Sequence, residues 1–265
     1  MNDSKIYAVV TGASSGIGWC ISKELAARGY AIVAVSNQTE ALRSLKSELE
    51  VKFAIAVYTI DCDLSDGEAA NTIYRFCQER ELKVEVLVNN AGIFVYGEVV
   101  ATDTLSIRTI LQLHMSTPVL LCRLFGSDMA EKQKGYILNV SSISAIMPYP
   151  TISLYGPTKG FLRQFTRALR TELKGHGVSV TCLIPGATAT ALYDTDKLNI
   201  QRLMRLGIMK RPEDVAEAGV NALFRGRSER VPGLLNRFVL LLFPLIPVAL
   251  IGIIYKKQAR IDAGE

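Results

Sequence analysis

Three polar side chains stand at a spacing that could carry a proton to or from a carbonyl oxygen. Ser142 closes an apolar run, and Lys159 follows Tyr155 by four residues. On a helix this spacing puts both side chains on one face, so the ammonium of Lys159 can lie beside the phenol. Bringing a phenol pKa from about 10 to neutrality requires roughly 4 kcal/mol, and a unit charge about 4 Å away supplies roughly 4 kcal/mol at an effective dielectric near 20. Ser142 would donate a hydrogen bond to the same oxygen and stabilise its developing charge.

A glycine-rich turn near the N-terminus favours a catalytic interpretation of that pair. By themselves, a tyrosine and a lysine four residues apart are usually a surface aromatic and a solvated amine. The turn directly follows an apolar run, opens a helical pattern and reads Thr11-Gly12-Ala13-Ser14-Ser15-Gly16-Ile17-Gly18. Glycines let backbone approach phosphates, and a helix start offers free N–H groups and partial positive charge. A plain tight turn could use the same glycines, but the position after a strand favours a pyrophosphate cradle.

The elements that must position these residues alternate between strands and helices from Ile6 to Gly226. This pattern predicts an α/β fold: a doubly wound, Rossmann-like parallel sheet of about seven strands, with helices on both faces. Dense apolar runs predict the strands Ile6–Val10, Ala31–Val35, Phe53–Ile60, Val84–Val88, Tyr136–Val140 and Val178–Leu183. Helical patterns cover Ile17–Arg28, Thr39–Glu50, Asp66–Arg80, Leu105–Ala130, Ile152–Lys174 and Pro212–Phe224. One domain is expected over residues 1–230, followed by an apolar extension over 231–265.

Further motifs at the ends of these strands complete a family pattern. They are Asp63-Leu64, Asn89-Asn90-Ala91-Gly92, Ser141-Ser142 and Tyr155-Gly156-Pro157-Thr158-Lys159. Together with the glycine turn, they resemble the short-chain dehydrogenases/reductases over about residues 5–226. The resemblance implies hydride transfer between a nicotinamide cofactor and a ketone or secondary alcohol, with Ser142, Tyr155 and Lys159 as catalytic residues. It implies cofactor contacts at Gly12, Ser14, Ser15, Gly16, Ile17, Gly18, Ser36, Asn37, Asp63, Leu64, Asn90, Ala91, Gly92, Tyr155, Lys159, Pro185, Gly186, Thr188 and Thr190.

The turn after the second predicted strand bears on the choice between NAD and NADP. An acid at this place bonds the ribose 2′-hydroxyl of NAD and repels a 2′-phosphate. Here the turn reads Val35-Ser36-Asn37-Gln38, with no acid and no arginine. Hydroxyls at Ser14, Ser15 and Ser36 could accept a phosphate, so NADP(H) is expected ahead of NAD(H).

His114 departs from the family pattern. It takes the place of an asparagine that usually holds a water bonded to the active-site lysine in a proton relay. Two interpretations stay open: a histidine that continues the relay with altered pH dependence, or a packed, hydrogen-bonded core histidine.

Composition argues against several other classes of site. The net charge of +5 arises from 30 basic and 25 acidic residues, without a basic stripe that would suggest nucleic acid. Five scattered cysteines without a CxxC pair predict neither a disulfide framework nor a metal site; most should be small buried hydrophobes. The N-terminus has no basic segment followed by a long apolar run, so no secretory signal is expected and the catalytic part should be cytoplasmic.

Two apolar segments bear on substrate and partners. The loop Ala191–Gly207 could line a lipophilic pocket or form the buried stripe of a lid helix. The uncharged run Phe238–Tyr255 has basic residues on both sides, and Pro244 and Pro247 make a simple spanning helix the weaker choice. A bent segment lying in the membrane interface, at the inner face, ranks slightly ahead of an apolar arm that packs on a partner subunit or over the substrate cleft. A homodimer or homotetramer is the expected assembly.

The expected substrate is a lipophilic carbonyl compound or alcohol, and reduction is the favoured direction. Long-chain acyl, ketosphingoid and steroid-like ketones are the candidate classes. The alternative function is a catalytically idle NADP-binding sensor or a membrane-associated scaffold.

Overall fold

The computed structural model describes residues 5–190, 204, 208–247, 249–253 and 255. Its centre is a sheet of seven parallel strands. The strands are β1 (Ile6–Thr11), β2 (Ala31–Ser36), β3 (Val57–Asp61), β4 (Lys83–Asn89), β5 (Gly135–Val140), β6 (Val178–Leu183) and β7 (Glu229–Arg230). Their order in the sheet is β3-β2-β1-β4-β5-β6-β7. After β3, at one edge of the sheet, the chain crosses to β4, which pairs with the other side of β1. The direction of strand addition therefore reverses between β1 and β4, and a cleft opens at the carboxyl ends of these strands.

Helices cover both faces of this sheet. They are α1 (Gly16–Ala26), α2 (Thr39–Phe53), α3 (Ala69–Glu79), α4 (Thr104–Leu111), α5 (Thr117–Glu131), α6 (Tyr155–Leu173), α7 (Pro212–Phe224) and α8 (Leu234–Leu242). Alternate residues of β1 serve two cores: Ala8 and Val10 pack with α1, α2 and α7, whereas Tyr7 and Val9 pack with α3 and α5. A strand buried on both faces reads as a continuous apolar run, which is why the sequence pattern located it. The predicted doubly wound fold is confirmed.

One predicted strand begins later than expected, and one predicted helix is interrupted. The strand predicted at Phe53–Ile60 begins only at Val57, because α2 continues through Phe53 and ends at Ala54, whose φ of 52° is left-handed. Phe53 packs against the core from this last helical turn. Similarly, the predicted helix Leu105–Ala130 is interrupted by one π-helical turn over Gln112–Ser116.

Smaller differences occur at other ends. The helix predicted from Ile152 starts at Tyr155, and the one predicted from Asp66 starts at Ala69. The last strand, β7, has two residues and carries no apolar run that sequence could have revealed. Four of the five cysteines are buried, and none forms a disulfide.

The predicted substrate loop lies mostly outside the described residues, which omit 191–203 and 205–207. Within the part that the structure describes, no helix is both long enough and apolar enough to cross a bilayer.

Candidate active site

The glycine turn adopts a backbone that side chains would not permit. Gly12 and Gly16 have φ values of 64° and 53°, in the left-handed region that favours glycine. A Cβ on Gly18 would lie 2.1 Å from the carbonyl oxygen of Gly12, so α1 can start against the turn only without a side chain there. The turn therefore presents the N-terminus of α1 to the cleft, as a pyrophosphate site requires.

Residues after β4 brace this turn from the side. The side-chain amide nitrogen of Asn90 donates to the carbonyl oxygens of Thr11 and Gly12 at 3.0 and 3.2 Å. The hydroxyl of Thr11 accepts from the backbone N–H groups of Asn90 and Ala91 and donates to the carbonyl of Val88. The ends of β1 and β4 are thus fixed to each other where the sheet opens.

A cleft of about 580 Å³ runs along these strand ends. It brings together every site residue predicted from sequence except Gly18, which lies against Gly12 and Asn90 instead of the cleft. Residues that were not predicted as site residues also line it: Gln38, Cys62, Ser65, Ile93, Phe94, Thr109, Leu113, Val140 and Ser141. Thr190 approaches Gly16 so closely that a Cβ there would be 2.8 Å from its methyl carbon. The segment after β6 therefore closes over the glycine turn.

The two serines after β5 have different roles in the structure. The Ser141 hydroxyl is buried and donates to the carbonyl of Lys159 at 2.7 Å, which ties β5 to α6. The Ser142 oxygen accepts from the backbone N–H and the hydroxyl of Ser144, at 3.2 and 2.9 Å. Ser142 lines the cleft. This geometry favours Ser142 over Ser141 as the group that contacts a substrate oxygen.

Lys159 and Tyr155 occupy the first turns of α6, where both are buried. The Nζ atom of Lys159 donates to the carbonyl of Val140 at 3.1 Å and lies 5.9 Å from the centroid of the Tyr155 ring. Burial lowers the pKa of Lys159 to about 8. At neutral pH the ammonium is therefore still the main form, and it lies beside the Tyr155 ring.

An aromatic residue beside Tyr155 was missed at the level of sequence. The Phe94 ring meets the Tyr155 ring edge to face, with centroids 4.9 Å apart. Phe94 stands two residues after Gly92, so its proximity to a motif was visible. Its contact depends on how the backbone after β4 passes α6, which no local pattern reveals.

His114 lies in the π-helical turn and is 1% exposed. Its Nε2 atom accepts from the backbone N–H of Ile93 at 3.1 Å, and its Nδ1 atom is 2.9 Å from the hydroxyl oxygen of Thr158. Burial, and secondarily the Lys159 charge, place the pKa of His114 well below its usual value. Both ring nitrogens have protein partners, so the geometry favours the core-histidine interpretation over a ring that holds a relay water.

At the other end of the cleft, hydroxyl and amide groups replace the acid typical of NAD sites. The Ser36 hydroxyl donates to the Ser14 hydroxyl at 2.8 Å, and Asn37 and Gln38 line the cleft beside them. Among the lining residues that the structure describes, no arginine is present. Glycines without room for a Cβ, a helix N-terminus and these polar groups fit a dinucleotide along the cleft.

Comparisons with known proteins agree with this geometry. A family model for short chain dehydrogenase matches residues 6–200. Very-long-chain 3-oxoacyl-CoA reductase-B of Danio rerio is 33% identical over 224 residues, which are 82% of this chain and 68% of that protein. The 17-beta-hydroxysteroid dehydrogenase type 3 of Homo sapiens is 33% identical over 192 residues, which are 70% of this chain and 60% of that protein.

The fold also matches solved structures. A short-chain dehydrogenase from Sphingobium yanoikuyae, solved in complex with NADPH, superposes with a TM-score of 0.78 at 22% identity. The superposition covers 98% of this chain and 95% of that one. At this identity the likeness shows the fold, while the family model, which matches most of the chain, shows the membership. The protein belongs to the short-chain dehydrogenase family of oxidoreductases.

Proposed function

We propose that the protein reduces a lipophilic ketone to a secondary alcohol with NADPH. The observation that carries this proposal is the convergence of Ser142, Tyr155 and Lys159 in the same cleft as the glycine turn. The hydride that reaches the carbonyl carbon comes from the reduced nicotinamide. Tyr155 gives its phenolic proton to the carbonyl oxygen, and the Lys159 ammonium stabilises the phenolate that remains. Ser142 donates a hydrogen bond to that oxygen and holds it near Tyr155.

Three observations support NADPH as the cofactor. The turn after β2 holds no acid that would repel a 2′-phosphate, and the hydroxyls of Ser14 and Ser36 stand where a phosphate could be accepted. The structurally similar dehydrogenase from Sphingobium yanoikuyae was solved with NADPH. Because no arginine lines this end of the described cleft, the preference over NADH should be modest.

The substrate class is inferred from apolar side chains and from relatives. Ile93, Phe94 and Leu113 contribute apolar side chains to the cleft lining, and the Phe94 ring packs on Tyr155. Two relatives above 30% identity are named for very-long-chain 3-oxoacyl-CoA and 17-beta-hydroxysteroid chemistry. A long-chain acyl, ketosphingoid or steroid-like ketone therefore remains the proposed class. A catalytically idle sensor would need Tyr155 and Lys159 only as cofactor contacts, whereas the reductase needs them together with Ser142 in the same cleft.

The apolar tail is proposed to contact a membrane surface. On α8, Asn236 is buried and its side-chain amide lies directly against Gly186, where a Cβ would be 2.4 Å from it, so this side of the helix faces the body. The opposite side exposes Leu234, Phe238, Leu241 and, just beyond the helix, Leu245, between 61% and 75%. Spacings of four, three and four residues place them on one face. Basic residues on both sides of the tail suit an anionic lipid surface.

Turnover by a Tyr155→Phe variant tests the catalytic proposal. NADPH oxidation would be followed with a long-chain 3-oxoacyl thioester, a ketosphingoid base and a 17-ketosteroid. We expect the variant to keep NADPH affinity but to lose turnover by several orders of magnitude, because only the hydroxyl is removed. Tyr58→Phe, on β3 and away from the cleft, is the matched control. Near-normal turnover in Tyr155→Phe would contradict the mechanism, whereas NADPH binding without turnover of any ketone would favour the idle sensor.

A further inference from the structure

The hydrogen bonds of His114 can be assigned a direction, and together they fix its tautomer. The backbone N–H of Ile93 can only donate, so the Nε2 atom that it meets at 3.1 Å carries no proton. A neutral imidazole has one N–H, which must then be on Nδ1. That group donates to the hydroxyl oxygen of Thr158 at 2.9 Å, and the Thr158 hydroxyl donates in turn to the carbonyl of Tyr155 at 2.9 Å. Each donor in this series has an acceptor, and each acceptor a donor.

We propose that His114 is a positioning residue: a neutral imidazole, fixed as its Nδ1–H tautomer, that joins the loop after β4 to the first turn of α6. It thereby fixes where Tyr155 and Lys159 stand relative to the nicotinamide side of the cleft, without transferring protons itself. The assignment of the tautomer is independent of the reaction, while its effect on turnover rests on the proposed reductase function.

The hydrogen-bond geometry and the electrostatic surroundings both disfavour a charged ring in the resting site. A second proton would fall on Nε2, where it would face the N–H of Ile93 and break that hydrogen bond. Among the residues that the structure describes, the charged and titratable side chains that meet the ring are Lys159 and Tyr155, both on α6. The Lys159 ammonium and burial both disfavour an imidazolium and hold the pKa of His114 well below its usual value. A proton relay through this ring would need the charged form.

The contacts of His114 reach both sides of the catalytic pair. Ile93 precedes Phe94, whose ring packs on Tyr155, and Thr158 precedes Lys159. A Cβ on Gly92 would lie 2.9 Å from Nε2 of His114 and 3.3 Å from Nζ of Lys159. The imidazole thus fills the space between the loop and α6 that the absence of a side chain on Gly92 leaves open. Loss of either hydrogen bond would let the loop and α6 move apart at the place where the carbonyl must be held.

Nitrogen NMR on full-length protein labelled with ¹⁵N tests the tautomer directly. The chain has two histidines, and His176, which is exposed, can be removed as His176→Gln to assign the signals. We expect the remaining ring to show a protonated Nδ1 and an unprotonated Nε2, unchanged from about pH 6 to pH 9. A through-hydrogen-bond coupling should join Nε2 of His114 to the amide nitrogen of Ile93. A protonated Nε2, a mixture of tautomers or titration within this range would overturn the proposal.

Paired substitutions then test positioning. His114→Asn can replace only the bond made by Nδ1, and His114→Gln only the bond made by Nε2, so both variants should be less active than wild type and more active than His114→Phe. Thr158→Val removes the hydroxyl and keeps the branched shape. We expect Thr158→Val to lower kcat by a factor similar to that of His114→Phe, about tenfold or more. Neither change should alter NADPH affinity or shift the pH profile of kcat.

The double variant distinguishes a shared connection from two separate defects. If His114 acts through Thr158, adding Thr158→Val to His114→Phe lowers kcat no further. Full activity of Thr158→Val, multiplicative losses in the double variant, or a changed pH profile in His114→Phe would each contradict the proposal. If wild-type protein turns over no ketone, the reductase proposal fails while the NMR result still decides the tautomer.

Discussion

Burial governs the chemistry of Lys159 as much as its charge does. The side chain is 4% exposed and its ammonium has Val140 as a backbone partner. A pKa lowered from 10.5 to about 8 means that folding penalises the charged form. One pKa unit corresponds to about 1.4 kcal/mol, so the folded protein carries a cost of about 3 kcal/mol at neutral pH to keep this cation inside. A charge retained at such a cost, next to the Tyr155 phenol, is typical of a functional site.

Removing this buried charge should make the fold more stable. We predict that Lys159→Met raises the free energy of unfolding at pH 7 by up to about 3 kcal/mol, less whatever is lost when the Val140 carbonyl loses its partner. Below pH 8 both states of the wild type are protonated, so the difference is constant there. Between about pH 8 and 10.5 the unfolded state binds more protons, and wild-type stability rises toward that of the variant. Urea unfolding at several pH values measures this difference.

A residue with the same change in charge but no burial provides the control. Lys132→Met, at the exposed end of α5, should leave stability nearly unchanged across the same pH range. A Lys159→Met variant that is less stable than wild type at pH 7 would mean that the ammonium is better solvated or better paired than its contacts indicate.

Single residues were predictable where one element carries them. The period of a helix places Tyr155 and Lys159 on one face, and the residues between a strand and a helix mark the glycine turn. The catalytic role of the pair comes from the family resemblance. Phe94 and the partners of His114 depend on two segments that approach each other in space. Their contacts come from tertiary packing, which local spacing does not contain.

Strands and helices could be located from the sequence where burial alone determines their apolar pattern. The strands buried on both faces were located well, whereas β7 is defined by backbone bonds such as Cys182 to Ser228 and has no apolar run of its own. The π-helical turn at Gln112–Ser116 escaped because one added residue barely disturbs a helical pattern. Such turns are frequent at functional sites, and this one carries His114.

The turn between β2 and α2 should decide the cofactor preference. We predict that wild-type protein binds NADPH more tightly than NADH by a modest factor, and that Asn37→Asp weakens NADPH binding by roughly tenfold or more through repulsion of the 2′-phosphate. NADH affinity should stay equal or improve. The chain has a single tryptophan, Trp19, directly after the glycine turn, so energy transfer from it to the bound dihydronicotinamide gives the affinities.

The same substitution elsewhere shows whether net charge alone is responsible. Asn71→Asp, exposed on α3 and away from the cleft, should leave both affinities unchanged. Equal binding of the two cofactors by the wild type, or tighter binding of NADH, would show that the polar turn at Ser36 and Asn37 does not select for a phosphate.

Considered as a whole molecule, the protein carries a positive net charge and an apolar tail with two unlike faces. Sequence established that the tail is apolar and basic at both ends, but an uncharged run has no polar side to reveal its orientation. Packing supplies that orientation: Asn236 and Leu240 face the body, and Leu234, Phe238 and Leu241 face outward. Farther along, the Tyr255 hydroxyl donates to Glu98 at 3.2 Å, so the tail returns to the loop after β4 that borders the cleft. The division of the chain at residue 230 remains a prediction.

The outward face of α8 predicts binding to an anionic lipid surface. Apolar surface in water costs roughly 25 cal/mol per Å², so several exposed leucines and a phenylalanine favour a cover of lipid or protein. We predict that full-length protein sediments with vesicles of phosphatidylcholine and phosphatidylserine, and that the double variant Phe238→Glu, Leu241→Glu does not. Because Asn236 and the cleft are untouched, NADPH affinity should stay the same. Leu105→Glu, at a leucine on α4 that is 74% exposed, is the matched control and should still sediment.

Light scattering on the same proteins separates lipid from a second subunit as the cover. If lipid covers the face, the glutamate variant keeps the oligomeric state of the wild type and loses only its vesicle binding. If another copy of the chain covers it, the variant has a lower mass in solution, and wild-type protein ignores vesicles because its apolar face is already buried. If the wild-type protein stays in the supernatant at every phosphatidylserine content, the proposed membrane contact is wrong. The outward face of α8 would then be assigned to packing between subunits. Raised salt should weaken vesicle binding without abolishing it, since the basic residues contribute a screened attraction and the leucines an unscreened one.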